Sequence, residues 1–285
     1  MRIGCIGTGT IGSMLIEALS SKLPEPPDFV VCNRSRDKIA ALARRVPSLV
    51  MVATAAEVAQ RSQTLFICVK SPDLDPVIDQ IRPFLSPDHV LLITASGFEV
   101  ERLEHRVPAR VGKIIPSITQ FAGGGAILTR YGPRMDRESC RSVDGLLSFI
   151  GTPLPVTDDQ IRVYADLTSC GPAFFAALLQ AFARAASATG RIGAGEAEHL
   201  LQLTWSATAR LFENGFTPED VRRKVSVPGG VTEAGLAVLD PGAETLFRDL
   251  FAATQAHHLS HQPSPGQTRD KWPDRDRPGT SRDPL

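Results

Sequence analysis

The chain opens Met1-Arg2-Ile3-Gly4-Cys5-Ile6-Gly7-Thr8-Gly9-Thr10-Ile11-Gly12 and, after a run with helical spacing, reads Val30-Val31-Cys32-Asn33-Arg34-Ser35-Arg36. An apolar strand enters a G-x-G-x-x-G turn, a helix follows, and a second strand ends in Asn-Arg-Ser-Arg. Each glycine has a mechanical role. Gly7 permits a tight turn, Gly9 lets the backbone approach a pyrophosphate, and Gly12 lets helix and strand pack closely. The amides around Thr8, Thr10 and Ile11 open the helix and face an anion. The strand before, the helix after and the second strand about 20 residues on are the context that the dinucleotide-binding motif requires.

The end of the second strand bears on which dinucleotide. An NAD site wants Asp or Glu there for the ribose 2′-hydroxyl. Here Asn33, Arg34, Ser35 and Arg36 precede the first acid, Asp37. Guanidinium forks and a hydroxyl suit a 2′-phosphate, and Arg34 could also stack on adenine. The expected cofactor is NADP(H), with NAD(H) as the second candidate. Two arginines on a solvated turn are the plain alternative.

The rest of the chain is read around that stretch. Its 285 residues are enough for one large domain or two smaller ones. Thirty-one basic and 31 acidic side chains cancel, so nothing points to a nucleic-acid or membrane partner. Five cysteines without C-x-x-C spacing suggest reduced thiols and a cytoplasmic setting. A core strand from Arg2 leaves no room for a signal peptide, and no apolar run reaches membrane-spanning length.

Strands are expected at Ile3–Ile6, Phe29–Cys32, Thr64–Val69, Val90–Ile93 and near Val111–Ile115. Helices are expected at Ile11–Ser21, Arg36–Arg44, Ala55–Arg61 and Pro76–Phe84. Near-continuous apolar strands alternating with helices make an α/β fold, a Rossmann doubly wound parallel sheet. Ligands in such sheets sit beyond the carboxyl ends of the strands, which gathers the glycine turn, Arg34, Val69, Lys70, Ser96-Gly97, Pro116 and Ser117 along one edge. From about Asp158 to His258 the pattern is helix after helix, and Thr217-Pro218 reads as a helix start. Residues 172–188 are apolar almost all round, so that helix must be covered on all sides, most simply by a second copy of the chain. The expected division is a dinucleotide-binding domain over 1–155, a helical substrate and dimerisation domain over 156–259, and a disordered tail over 260–285, polar and Pro-rich around Trp272.

Two further stretches carry chemistry: Leu167-Thr168-Ser169-Cys170-Gly171-Pro172-Ala173-Phe174 and Ser226-Val227-Pro228-Gly229-Gly230-Val231-Thr232-Glu233. Pro-Gly-Gly ends one helix, and the amides opening the next can bind a carboxylate. Thr232 adds a hydroxyl there, or is simply an N-cap. With Gly7–Gly12, these blocks make the chain resemble the pyrroline-5-carboxylate reductase family over roughly residues 1–255, and its ComER-like late-competence branch in particular.

The resemblance implies NAD(P)H-dependent reduction of the cyclic imine 1-pyrroline-5-carboxylate to proline, in a homodimer or larger homo-oligomer. It places Thr232 on the substrate nitrogen, Gly229, Gly230 and Val231 around its carboxylate, and Cys170 in the substrate block. Val227 stands where the family has Ser, and Ser117 where it has Asn. A different imine or carbonyl substrate therefore stays open, as does a non-catalytic NADP-binding regulatory role. The six histidines show no metal-ligand spacing, and neither a Walker loop nor a G-x-S-x-G elbow is present. A β-hydroxyacid dehydrogenase would want a catalytic lysine in the helical part, where Lys224 beside Pro-Gly-Gly is the sole lysine before the tail.

Overall fold

The computed structural model describes residues 2–260. Eight strands form one sheet in the order β3-β2-β1-β4-β5-β6-β7-β8. In chain order they are β1 (Arg2–Ile6), β2 (Asp28–Cys32), β3 (Leu49–Met51), β4 (Thr64–Ile67), β5 (Val90–Ile93), β6 (Arg110–Ile115), β7 (Ala126–Tyr131) and β8 (Thr152–Pro155). All neighbours pair in parallel except β6 with β7. The helices between them are α1 (Thr10–Lys22), α2 (Arg36–Ala43), α3 (Ala55–Arg61), α4 (Ser71–Ile81), α5 (Val100–Glu104) and α6 (Arg137–Leu147).

The two-residue period of the strands divides the core into two layers. Ile3, Cys5, Phe29, Val31 and Phe66 point to one face, where Met14, Leu15 and Leu19 of α1, Leu42 of α2 and Leu147 of α6 cover them. Ile6, Val30, Leu65 and Ile67 point to the other, under Val58 of α3, Leu74 and Ile78 of α4 and Leu103 of α5. Both faces are buried, which is why the central strands read as unbroken apolar runs.

Several elements depart from the sequence expectation, the short helix α5 among them. β3 is apolar (Leu49-Val50-Met51) but only three residues long, a partly exposed edge strand. β7, α6 and β8 lie outside the expected elements, although Asp136 caps α6 by accepting from the Ser139 amide at 2.7 Å. α4 begins at Ser71 rather than at Pro76. Pro72 takes the first-turn position that proline favours, and Pro76 is carried inside the helix.

Beyond Pro155 every element is helical: α7 (Ile161–Ala165), a π-helical turn at Asp166–Cys170, α8 (Gly171–Ala188), α9 (Ala194–Glu213), α10 (Pro218–Val225) and α11 (Val231–Ser260). Thr217 caps α10 in a reciprocal box with Asp220, as its sequence suggested. Ser260 closes α11, and the rest of the expected tail lies outside the described residues. α8 packs on α9, with the Phe175 and Trp205 rings 5.4 Å apart. Much of the apolar surface here has no cover in the single chain: Phe182 is 63% exposed, and Leu203, Leu239 and Leu246 are also open. A contiguous apolar surface of this kind marks an interaction face.

One polar cluster ties these helices together. Asp166 is buried, pairs with Arg162 one turn earlier, and accepts from the Thr254 hydroxyl of α11 at 2.7 Å. Burial opposes the Arg162 charge, but its bonds to Asp166 hold its pKa above the usual arginine range. Truncating Asp166 leaves a half-buried guanidinium without its counter-ion. Asp166→Ala is expected to lower unfolding stability by about 3 kcal/mol, with Asp166→Asn losing less, as read by urea denaturation.

Candidate active site

At the end of β1 the chain turns through Gly7 at φ +96°, whose amide donates to the Cys32 carbonyl at 3.0 Å. A side chain at Gly7 would stand 2.5 Å from the Cys68 carbonyl oxygen, and one at Gly12 would stand 2.0 Å from that of Gly7. Neither position has room for a methyl group. Gly9 is different: nothing lies within 4 Å of where its side chain would be. The glycine that matters for ligand approach is thus open, and the two that matter for packing are closed. α1 starts from Gly9 with no side-chain cap and no acid in its first turn, so its free amides and positive dipole end face the opening.

The surrounding loops hold that turn. Asn33 Oδ1 accepts from the Thr8 amide at 3.2 Å, and its Nδ2 donates to the Ser35 carbonyl at 3.0 Å. The Thr8 hydroxyl is buried without a partner. An uncapped helix start, a vacant glycine flank and an orphaned hydroxyl fit a dinucleotide pyrophosphate.

Arg34 follows β2 and makes a fork-to-fork pair with Asp73 of α4, at 3.2 and 3.0 Å. Lys70 occupies the N-cap position of α4, just past Val69, and the Ser71 hydroxyl donates to the Ser96 carbonyl beside Gly97. Pro116 and Ser117 follow β6. Ser117 is buried, and its hydroxyl caps the 3₁₀ turn at Ile118–Ala122, so that side chain is turned into the fold. Arg36 opens α2 beside Ser35. The sequence reading missed Asp73, which lies before the helix expected from Pro76 and meets Arg34 only through the fold.

The helical part reaches this edge through the π-helical turn. Ser169 donates to the Pro116 carbonyl at 3.0 Å, and Cys170 accepts from Arg162 at 3.5 Å. Single π turns recur at functional sites because the extra residue re-aims side chains. Lys113 on β6, also missed, is buried against the Phe98 ring and donates to the Phe98 carbonyl at 2.6 Å. Burial pushes its pKa down. The His258 imidazole is likewise pushed down, first by burial and then by the Arg162 and Lys113 charges.

The Pro-Gly-Gly loop is elsewhere. Gly229 turns at φ +74°, the Gly230 amide donates to the Val227 carbonyl, and the Gly229 amide donates to the Glu233 carboxylate at 2.8 Å. Val231 is 91% exposed and Val227 is 60% exposed. Thr232 and Thr254 both belong to α11, 22 residues apart, which is about 33 Å along a helix. Thr254 is the end fixed to the π-helical turn beside Pro116. Pro241 is carried inside the helix, so Thr232 and the anchored Thr254 stand at opposite ends of one continuous element. A cavity of about 660 Å³ lies between Glu17, Ser20, Arg45, Pro47 and Phe121, toward the far end of α1 from the glycine turn.

Comparison with known proteins agrees with this geometry. Residues 158–260 match the family described as pyrroline-5-carboxylate reductase dimerisation, and residues 2–97 match the one described as NADP oxidoreductase coenzyme F420-dependent. ComE operon protein 4 of Bacillus subtilis is 32% identical, over 92% of this chain and 96% of its own. The chain belongs to the pyrroline-5-carboxylate reductase family, on its ComER-like branch.

Pyrroline-5-carboxylate reductase 3 of Bos taurus is 28% identical over 93% of this chain and 87% of its own. Among solved structures, a pyrroline-5-carboxylate reductase from Coxiella burnetii aligns with TM-score 0.83 at 22% identity, over 92% of this chain and 98% of its own. The Plasmodium falciparum pyrroline carboxylate reductase with NADP bound aligns with TM-score 0.79 at 16% identity, over 91% and 97%. The chain therefore sits in a family of NADP oxidoreductases with a Rossmann-like sheet and a helical dimerisation region. Among the described residues, no helix is long and apolar enough to cross a membrane, and no group of three or more His, Cys, Asp or Glu could hold a metal.

The glycines give a paired test. Gly9→Ala is expected to leave stability within about 0.5 kcal/mol while weakening NADP⁺ binding at least about tenfold. Gly12→Ala drives a methyl into a carbonyl and is expected to cost about 3 kcal/mol or more. Thermal melts and titration calorimetry on the two variants separate the effects.

Proposed function

We propose that this protein reduces 1-pyrroline-5-carboxylate to L-proline with NADPH, in a site that two copies of the chain build together. The observation that carries the composite site is the length of α11. Its Thr232 end is about 33 Å from its anchored end and stands open. Only a second copy can bring a dinucleotide edge to it. The bare apolar faces of the helical part supply the area for such pairing, and symmetric dimers are the commonest way to bury them. On this reading residues 1–155 bind the cofactor, 156–259 form the substrate and dimer domain, and the protein works in a reducing cytoplasm. All five cysteines are free, in keeping with that setting.

Gly7 to Gly12 and the amides of α1 hold the pyrophosphate of the cofactor. Asn33, Arg34, Ser35 and Arg36 take its 2′-phosphate end, and Val69, Lys70, Pro116 and Ser117 line the path toward the reacting end. NADPH, when bound, supplies the hydride. The substrate's carboxylate goes to the amides of Gly229, Gly230 and Val231, with Cys170 nearby on the facing copy. An amide of that loop already takes a carboxylate, that of Glu233. The Thr232 hydroxyl meets the ring nitrogen. Hydride addition to carbon is easier when that nitrogen is protonated, and threonine is too weak an acid to give up its proton outright. Thr232 therefore holds the proton on nitrogen by hydrogen bonding and relays its replacement from water. Most of the acceleration comes from positioning the ring.

Val227, where the family carries serine, removes a hydroxyl beside the carboxylate loop. That observation favours, as the second reading, a different imine or carbonyl substrate, or a role as an NADP-responsive regulator.

Complementation tests the composite site. Thr232→Ala is expected to lower kcat/KM for 1-pyrroline-5-carboxylate about 100-fold, and Gly9→Ala to be nearly inactive at an NADPH concentration well below its weakened dissociation constant. Mixed after subunit exchange, the two inactive variants are expected to recover up to about a quarter of wild-type NADPH oxidation, because half the dimers are mixed and each mixed dimer keeps one intact site. No recovery after verified exchange would sink the shared site. No turnover by the wild type with NADPH binding intact would sink the substrate.

A further inference from the structure

The Arg34–Asp73 pair occupies a position that has a consequence for cofactor choice. Arg34 leaves the end of β2, and Asp73 lies in the first turn of α4 after β4. In the sheet order β1 stands between β2 and β4. Those two strands are separated by about 9.6 Å, two strand spacings. The ion pair therefore spans the end of β1, over the mouth of the Gly7–Gly12 turn. A dinucleotide held by that turn must share the space with it.

The pair also occupies one planar edge of Arg34: Nη1 donates to one Asp73 oxygen at 3.2 Å and Nη2 to the other at 3.0 Å. A 2′-phosphate is recognised by the same planar fork. Arg34 is 86% exposed and free to swing, whereas Asp73 is 34% exposed and fixed on its helix.

We propose that Asp73 is a selectivity residue for the cofactor: it competes with the 2′-phosphate for Arg34, and so sets how far the site prefers NADP(H) over NAD(H). Two effects have the same sign. A phosphate that takes the same edge of Arg34 displaces Asp73, and the carboxylate left behind repels that phosphate. NAD(H) has no 2′-phosphate and meets neither penalty. The inference rests on the assignment of the 2′-phosphate to Arg34, which the experiment tests separately.

The experiment is titration calorimetry of full-length protein with NADP⁺ and with NAD⁺, without substrate. Asp73→Asn keeps the shape and removes the charge. Its NADP⁺ dissociation constant is expected to fall about fivefold, the scale on which an exposed pair competes. NAD⁺ is expected to move less than about twofold, and the gain to shrink at high salt. Arg34→Gln is expected to weaken NADP⁺ about tenfold, and Asp73→Asn added to it to give a smaller gain than in the wild type, the part due to repulsion alone.

Unchanged or weaker NADP⁺ binding in Asp73→Asn, with Arg34→Gln still weakening it, would overturn the role of Asp73 and leave Arg34 in place. An equal shift for both cofactors would do the same, by showing that Asp73 only obstructs the mouth. NADP⁺ binding untouched by Arg34→Gln would remove the Arg34 assignment and this inference with it. Circular dichroism checks folding, and Asp73→Ser carries the same expectation should the asparagine variant misfold.

Discussion

The molecule depends on how closely three pieces of backbone approach at the end of β1. Gly7 lies against the Cys68 carbonyl, and Gly12 against that of Gly7, with no space for a carbon atom at either. That contact docks the first turn of α1 on the strand ends and aims its free amides along the sheet edge. Everything that makes the edge a site, from the Asn33 bond on Thr8 to the latch of Arg34 on Asp73, is arranged around that point. The Gly12–Gly7 half of the contact is local in sequence, whereas the Gly7–Cys68 half forms only when β4 pairs with β1. Its surroundings are chemically quiet. Burial pushes the Cys32 thiol to about 11, with the Glu57 charge adding to it, and the hydrogen bond with Cys68 followed by burial raises Cys5 as well. Thiols held protonated beside the turn pack as small apolar groups.

That stretch was legible because its constraints are steric and short-range. The central strands were legible because burial on two faces leaves an unbroken apolar run. β3, β7 and β8 were not, for two different reasons. β3 and β8 are edge strands, half exposed and short, and β8 carries prolines at both Pro153 and Pro155. β7 pairs antiparallel to β6, after a glycine-rich turn that breaks the alternation of strand and helix. Edges are where a sheet can tolerate residues that look like loop. In the helical part, the Thr217 cap was readable because its partners lie within one turn. The Asp166–Thr254 bond was not, since 88 residues separate them.

The site divides along the same line. Gly7, Gly9 and Gly12 announce themselves by spacing. Asp73 does not, because an acid in a helix first turn is ordinary until the sheet order puts Arg34 across from it. Thr232 and the Pro-Gly-Gly loop stand out by their resemblance to a family block, but sequence gives no hint of their distance from the glycine turn. That distance is fixed by the unbroken length of α11 and by which of its ends is tied to the π-helical turn.

A helix that long makes association part of the site rather than an addition to it. If one chain held both the glycine turn and Thr232 in reach, dimerisation would contribute only stability. Here the anchored end of α11 carries Thr254 to Asp166, and the same helix carries Thr232 away from the edge. The apolar faces of α8, α9 and α11 are exposed along the way. Burying them against a second copy and completing the site are then one event. An isolated chain has little reason to hold the Pro-Gly-Gly loop in a fixed place. Glu233 on the Gly229 amide shows the provision made in its absence, since a carboxylate of the chain itself keeps that amide satisfied. On the proposed reading, the groups that meet the substrate's charge stand on one copy and those that meet the cofactor's on the other.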